Sequence, residues 1–361
     1  MLLQSINGGI RLNNRKLKVG VVGLTVGASH VKDYASSDTV KEIVLCDVDE
    51  SRLKEIGDIY NISKKYTDFD KMLKEENLDA ISIAVPNFLH MRLSIQAMEA
   101  GVHVLCEKPM ARNAVEGRKM LEASQKYNKK LMINFNQRFL HECQTLKSVI
   151  DEGKLGEIYY VRTQWQRRRG VPWWYPLSSG KEVCGGGALI DLGVHVLDRA
   201  MWFCGYPDPE WVLGNTFCKV SKDEAARKGI QNFELEDMGV AMFRMTNGVM
   251  LELEASWASN RENEMITTRI YGSKGGAVLQ REIGAVNDAC NTVFLEIGGE
   301  VRNIPLEEMK ISKKPNVRQA FLDAIIKDEE VPCTPQQGLK ITQMLDMVYL
   351  SAENGTPVKF E

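Results

Sequence analysis

An apolar run that reads as a buried strand, GVHVLCEKPM (residues 101–110), ends in Glu107, Lys108 and Pro109. An ammonium group at a strand mouth can stabilise an oxygen that gains negative charge during a reaction. Pro109 sets the angle at which the chain leaves. Taken alone, a lysine there is an ordinary solvated residue, and Glu107 would hold the ammonium or cap the next segment. Farther on, GALIDLGVHVLDRAMWF sets Asp191 and His195 four residues apart, a spacing that shares one helix face. Histidine has a resting ionisation suited to removing a hydroxyl proton. A carboxylate beside it can orient the ring or bind a neighbouring hydroxyl. By themselves the two also read as a structural helix pair.

The turn GVVGLTVGASH follows the first predicted strand. In a dinucleotide fingerprint, glycines tighten this turn and let a pyrophosphate approach the backbone at a helix N-terminus. Gly23 fits the first glycine and Ala28 the small third position. Thr25 stands where a second glycine belongs, with Val26 beside it, and Gly27 keeps the backbone open one residue before the third position. The next strand ends in Asp47, where an acid can bind both ribose hydroxyls and repel a 2′-phosphate. NAD is therefore expected over NADP. A helix cap is the plain alternative for Asp47, and Arg52 leaves room for NADP.

These groups need a frame. The first third alternates apolar strands (LKVGVVGL, KEIVLCDVD, LDAISIAVP, VHVLCEKP, KLMINFN) with amphipathic helical segments. That pattern predicts an α/β Rossmann domain, a doubly wound parallel sheet covered on both faces. From about Glu157 longer strands and hairpin signals take over, with Asn247-Gly248 the strongest turn. This predicts a C-terminal α+β domain with a large open, mostly antiparallel sheet. The expected division is 1–15 an N-terminal arm, 16–140 the Rossmann domain, 141–330 the second domain and 331–361 a helix packing back near the first.

Bulk properties narrow the function classes. A chain of 361 residues with net charge −2 has two domains as its natural prior and no electrostatic footprint for nucleic acid or anionic membrane. No apolar run is long enough for a bilayer, and the N-terminus lacks a signal-peptide core, so a cytoplasmic location is expected. The 8 cysteines form no CxxC pair and the 5 histidines show no ligand spacing, so no metal is expected.

AVPNFLH, AGVHVLCEKP, NFNQRF and GGGALIDLGVHVLD together resemble the successive signatures of the Gfo/Idh/MocA oxidoreductase family. The resemblance runs from about Lys16 to Val358 and departs at Thr25. It implies that Lys108 faces the reacting carbon and that Asp191 and His195 complete the site, with lysine and histidine exchangeable as formal base. It also implies a homo-oligomer, dimer, tetramer or higher, formed through the large sheet. The expected cofactor set is Gly23, Thr25, Val26, Gly27, Ala28, Asp47, Arg52, Pro86, Asn87, His90, Glu107 and Lys108. Packing is the plain role for His90 and His103. Gly185, Gly186 and Gly187 would let backbone approach the substrate, and Asn136 and Arg138 would tie the domains.

TQWQRRRGVPWWYP (residues 163–176) is the distinctive segment. As a strand it would put Arg167 and Arg169 on one face with Trp165. Rings stack on the C–H faces of sugars, and guanidinium forks bind oxygen pairs. The expected substrate contacts are Lys108, Asn136, Arg169, Trp173, Trp174, Asp191 and His195; a subunit interface is the other reading of the arginines. Three functions follow: an NAD-dependent dehydrogenase of a secondary hydroxyl on a sugar, glycoside or cyclitol, a glycosidase that retains its NAD and works by transient oxidation and elimination, and a non-catalytic NAD-binding sensor. Retention of Lys108, Asp191 and His195 argues against the sensor.

Overall fold

The computed structural model describes residues 15–175, 180–285, 289–309, 311–312 and 314–360. Most of the expected N-terminal arm, and Pro176 at the end of the aromatic segment, lie outside the described residues.

Apolar runs without polar alternation become the strands of a sheet covered on both faces. They are β1 (Leu17–Val22), β2 (Val40–Cys46), β4 (Ala80–Ile83), β5 (His103–Cys106) and β6 (Leu131–Ile133), joined at one edge by the short, half-buried β3 (Lys65–Tyr66). β1 is buried at every residue. All neighbouring pairs are parallel, in the order β3-β2-β1-β4-β5-β6. Between these strands run α1 (Leu24–Ala35), α2 (Glu50–Tyr60), α3 (Phe69–Glu75), α4 (His90–Glu99) and α5 (Ala114–Lys126). The order reverses between β1 and β4, which opens a crevice beyond their carboxyl ends.

After α6 (His141–Asp151) the side-chain period changes to two. β7 (Ile158–Gln166), β8 (Pro209–Phe217), β9 (Met238–Met245), β10 (Met250–Ser256), β11 (Glu264–Gly272), β12 (Gly275–Ile283), β13 (Ala289–Ile297) and β14 (Glu300–Pro305) form one sheet with the short β15 (Val358–Lys359). Its pairs are antiparallel except β7 with β10. The β9–β10 hairpin turns at Asn247-Gly248, where Gly248 has φ +89°. Among the described residues, the helices α7 (Gly180–Cys184), α8 (Val194–Phe203) and α9 (Ser221–Arg227) lie between β7 and β9.

Two helices close the chain, α10 (Val317–Lys327) and α11 (Pro335–Asn354). α11 starts at a capping box between Thr334 and Gln337, which satisfies its first free amides. It packs against α5 of the first sheet and β8 of the second, and β15 then pairs with β8. The tail therefore joins both sheets and is not confined to the first.

Arg138, in the turn after β6, is buried, with 2% of its surface exposed. Its Nε and Nη2 donate to the two Asp198 carboxylate oxygens at 2.9 and 2.6 Å, and Asp198 lies on α8. Its Nη1 donates to the Pro332 carbonyl at 3.1 Å and to Gln337 Oε1 at 2.9 Å. One guanidinium thus joins the first domain, the second domain and the tail. Replacing it strands a buried carboxylate, a loss of about 3–5 kcal/mol. Arg138→Met is expected to lower unfolding free energy in guanidinium chloride by about that amount, whereas a change under about 1 kcal/mol would show that the hub is not structural.

Candidate active site

Strand ends and one helix start converge on a cleft with about 630 Å³ of empty volume. β1 turns into α1 at Gly23, whose φ is +82° and where a Cβ would run into the Ala84 carbonyl oxygen. Only glycine fits there. Gly27 serves a different purpose from the one expected: a Cβ on it would lie 2.9 Å from Val21 Cγ1, so its smallness lets α1 lie on β1. Ala28, the expected small third position, is half-buried against the core. Thr25 and Val26 are exposed, and Val26 lines the cleft.

Asp47 follows β2 directly. Its Oδ2 accepts from the Leu24 amide at 2.6 Å and its Oδ1 from the Asp49 amide at 2.9 Å. Asp49, not Asp47, caps α2. Arg52 reaches back from α2 and donates to the Thr25 hydroxyl and to Asp49. The acid and the glycine turn are therefore one hydrogen-bonded unit.

Val85, Asn87, Glu107, Lys108 and Pro109 line the wall formed by the ends of β4 and β5. His90 ties those ends together from beneath: Nδ1 lies 2.8 Å from the Pro109 carbonyl and Nε2 2.8 Å from that of Val85. It is buried, and burial lowers its pKa. His103 accepts from the Lys130 amide at 2.9 Å, away from the cleft. Pro86 accepts from the Leu89 amide and Asn136 opens a 3-10 turn; neither lines the cleft.

The opposite wall comes from the second domain. A π-turn, Leu189–Gly193, runs into α8 and carries Asp191; such turns recur at functional sites. Lys108 Nζ donates to Asp191 Oδ1 at 3.0 Å and to its backbone carbonyl at 2.9 Å. Asp191 Oδ2 accepts from Trp257 Nε1 at 2.8 Å, and Arg167 Nη1 stands 3.9 Å from it. Burial opposes the carboxylate charge, but these donors outweigh it and hold Asp191 down at about 2. His195 is buried against Trp165, ring centroids 5.3 Å apart, with Nδ1 lacking a partner among the described residues. Burial, helped by the Lys108 charge, holds its pKa down at about 3, so the ring is neutral near pH 7.

The glycines before Asp191 were expected to open space for substrate. Gly186 does line the cleft, but a Cβ there would strike the Tyr349 hydroxyl, and one on Gly187 would strike Glu236. The buried Glu236 carboxylate accepts from the Gly187 and Leu189 amides and from Tyr349. Close packing on this carboxylate, which fixes the turn before Asp191, is what demands glycine.

The aromatic segment divides. Trp174 lines the cleft and is 68% exposed. Tyr175 crosses to the first domain, where its hydroxyl accepts from the Asn87 amide at 2.7 Å. Trp173 turns away to Phe233 and Glu224. Arg169 also points away, to Ser259 and Asn260. Its neighbour Arg167 takes the place expected of it, paired with Glu264 at 3.4 Å. Arg167 was expected with Arg169 as a ligand or interface arginine, whereas Trp257 and Glu236 escaped the sequence reading; a tryptophan just past an alternating strand was the only local signal.

A family model described as "Oxidoreductase family, NAD-binding Rossmann fold" matches residues 17–135. A second, "Oxidoreductase family, C-terminal alpha/beta domain", matches residues 147–360. The chain belongs to the Gfo/Idh/MocA oxidoreductase family. The D-glucoside 3-dehydrogenase of Escherichia coli K12 is 29% identical over 356 residues, 96% of this chain and 99% of its own. The levoglucosan dehydrogenase of Pseudarthrobacter phenanthrenivorans is 26% identical over 291 residues, 74% of each chain. A solved levoglucosan dehydrogenase in complex with NADH superimposes with a TM-score of 0.81 at 22% identity, over 96% of this chain and 100% of that one, a likeness of fold.

The protein is therefore an NAD-binding oxidoreductase of this family. Its glycine turn, with a backbone that no Cβ permits and an acid tethered at the next strand end, fits a dinucleotide. The carboxylate at Asp47 should disfavour a 2′-phosphate, so NAD is expected to be used with at least about tenfold higher kcat/KM than NADP. Asp47→Ser should narrow that gap; steady-state kinetics with both cofactors in which NADP equals NAD for the wild type would show that Asp47 does not select.

Trp257→Phe keeps an aromatic ring, though a smaller one, and removes the N–H on Asp191. Loss of one hydrogen bond to a charged group is expected to lower kcat about tenfold with KM little changed. Unaltered kcat in steady-state turnover would show that the indole only fills space.

Proposed function

We propose that this protein is an NAD-dependent dehydrogenase that oxidises a secondary hydroxyl of a pyranose, glycoside or cyclitol to a ketone. The observation that carries the reading is the Lys108–Asp191 ion pair across the cleft, with a neutral His195 one helical turn beyond. The names of its relatives support the substrate class, and the D-glucoside 3-dehydrogenase favours a 3-keto-glycoside as product. A flat exposed ring at Trp174 suits the C–H face of a sugar.

Bound NAD supplies the hydride acceptor. Gly23, Val26, Asp47, Asn87 and Glu107 would hold it at the ends of β1, β2, β4 and β5. Lys108 donates to the substrate oxygen and stabilises it as its proton leaves. Asp191 keeps the ammonium aimed at the cleft. His195 takes the hydroxyl proton, for which it must be unprotonated. Tyr175, bonded to Asn87, closes the side of the cleft and limits water. Self-association through the solvent face of the second sheet is part of the proposal, supported by exposed Tyr159, Leu213, Met242 and Tyr271.

The test is a panel of sugars, aryl glycosides and cyclitols scored for net NADH. Aglycone release without net NADH would instead support the NAD-retaining glycosidase. Lys108→Ala and His195→Ala should each lower turnover at least about a hundredfold, with NAD affinity, measured by calorimetry, close to that of the wild type. Because His195 is held at about 3, it stays a base as pH falls. Oxidation should therefore persist from about pH 8 to about pH 5, with its acid limb below the ordinary imidazole value of about 6.5. A limb that persists in His195→Ala and vanishes in Lys108→Ala would assign the base to the lysine.

A further inference from the structure

Charge in the cleft does not balance. The ionised side chains lining it are Glu107, Lys108 and Asp191, two carboxylates and one ammonium. The ammonium is already paired with Asp191. Behind them Arg167 pairs with Glu264, and the two cancel. His195 is held at about 3, mainly by burial, and adds no positive charge near pH 7. His90 lies beneath the strand ends, with its two ring nitrogens against backbone carbonyls, and does not line the cleft.

Glu107 is well provided with donors for its charge. It is buried, and its Oε1 lies 2.8 Å from His30 Nε2 on α1 and accepts from Asn134 Nδ2. Its Oε2 accepts from the Lys108 amide at 3.2 Å. Burial would raise its carboxyl, but the His30 contact and the charges of Lys108 and Arg318 hold it down at about 2. Arg318 is itself paired with Asp33 at 3.5 Å.

A buried anion on the wall of a cleft discriminates between two ligands that differ only in charge. The oxidised nicotinamide ring is positive and the reduced ring is neutral. We propose that Glu107 is the residue that biases this cleft toward the oxidised cofactor, so that NAD+ binds at least as tightly as NADH. The bias lowers the potential of the bound couple and leaves the enzyme loaded for oxidation. The inference rests on the cofactor lying against β4 and β5, as proposed above.

The experiment is calorimetric titration of the full chain with NAD+, NADH and ADP-ribose. ADP-ribose lacks only the nicotinamide and reports the rest of the site. Wild-type protein should bind NAD+ no more weakly than NADH. In Glu107→Gln the affinity ratio should move about tenfold toward NADH, the size of one partly screened charge interaction, with ADP-ribose affinity unchanged. Glu107→Asp keeps the charge and should keep the wild-type preference. An unshifted ratio in Glu107→Gln overturns the proposal, including the case where all three ligands weaken in parallel. If that variant does not fold, a wild-type Kd for NADH more than about tenfold below that for NAD+ overturns it by itself. Binding of neither nucleotide by wild-type protein overturns the cofactor placement as well.

Discussion

A guanidinium and a carboxylate sealed from water hold this molecule together. Arg138 belongs to the turn after the last parallel strand, Asp198 to the helix that follows the π-turn, and Pro332 and Gln337 to the tail. A buried pair of this kind contributes little net stability compared with apolar packing, but a mismatched arrangement leaves a bare charge at high cost. It therefore specifies one relation between the two sheets. The cleft depends on that relation, because Lys108 and Asp191 come from opposite sides of it. An error of an ångström or two at Asp198 would carry through α8 to the residue that meets the lysine.

Within the cleft, burial acts oppositely on its acid and its base. Asp191 is held ionised by an ammonium, an indole N–H and a nearby guanidinium, so desolvation loses to its partners. His195, with Trp165 on one side and the Lys108 charge nearby, has no comparable partner, and desolvation wins. The result is a stable anion beside a neutral base, a separation of roles produced by environment alone. The large second sheet is the rigid support. Trp165 and Arg167 come from or just beyond its central strand β7, and Trp257 from just beyond the adjacent β10.

The glycine turn shows how a departure from a motif is absorbed. Thr25 is exposed and its hydroxyl is engaged by Arg52, so a side chain where glycine was expected points outward and does not crowd the turn. The position that tolerates no side chain is Gly23, because the Ala84 carbonyl lies against it. Gly27 answers to helix packing on Val21.

Local pattern was enough for much of this protein. The parallel and antiparallel sheets follow from whether apolar residues run continuously or alternate. Gly23, Asp47, Lys108, Asp191 and His195 stand at strand ends or on one helix, where spacing along the chain approximates spacing in three dimensions. Tertiary structure decided the rest. Alternation predicted that Arg169 would share the face of Arg167, but β7 ends at Gln166 and the chain leaves the pleat, with Arg169 bridging to Ala258. Arg167 alone stays near Asp191. Trp257 lies 66 residues from that carboxylate in sequence, Glu236 49 from Gly187, and Tyr175 88 from Asn87. No periodicity links such pairs. They meet because sheet register and the buried Arg138–Asp198 pair bring distant segments together, and hydrogen bonding then selects which side chains face the cleft.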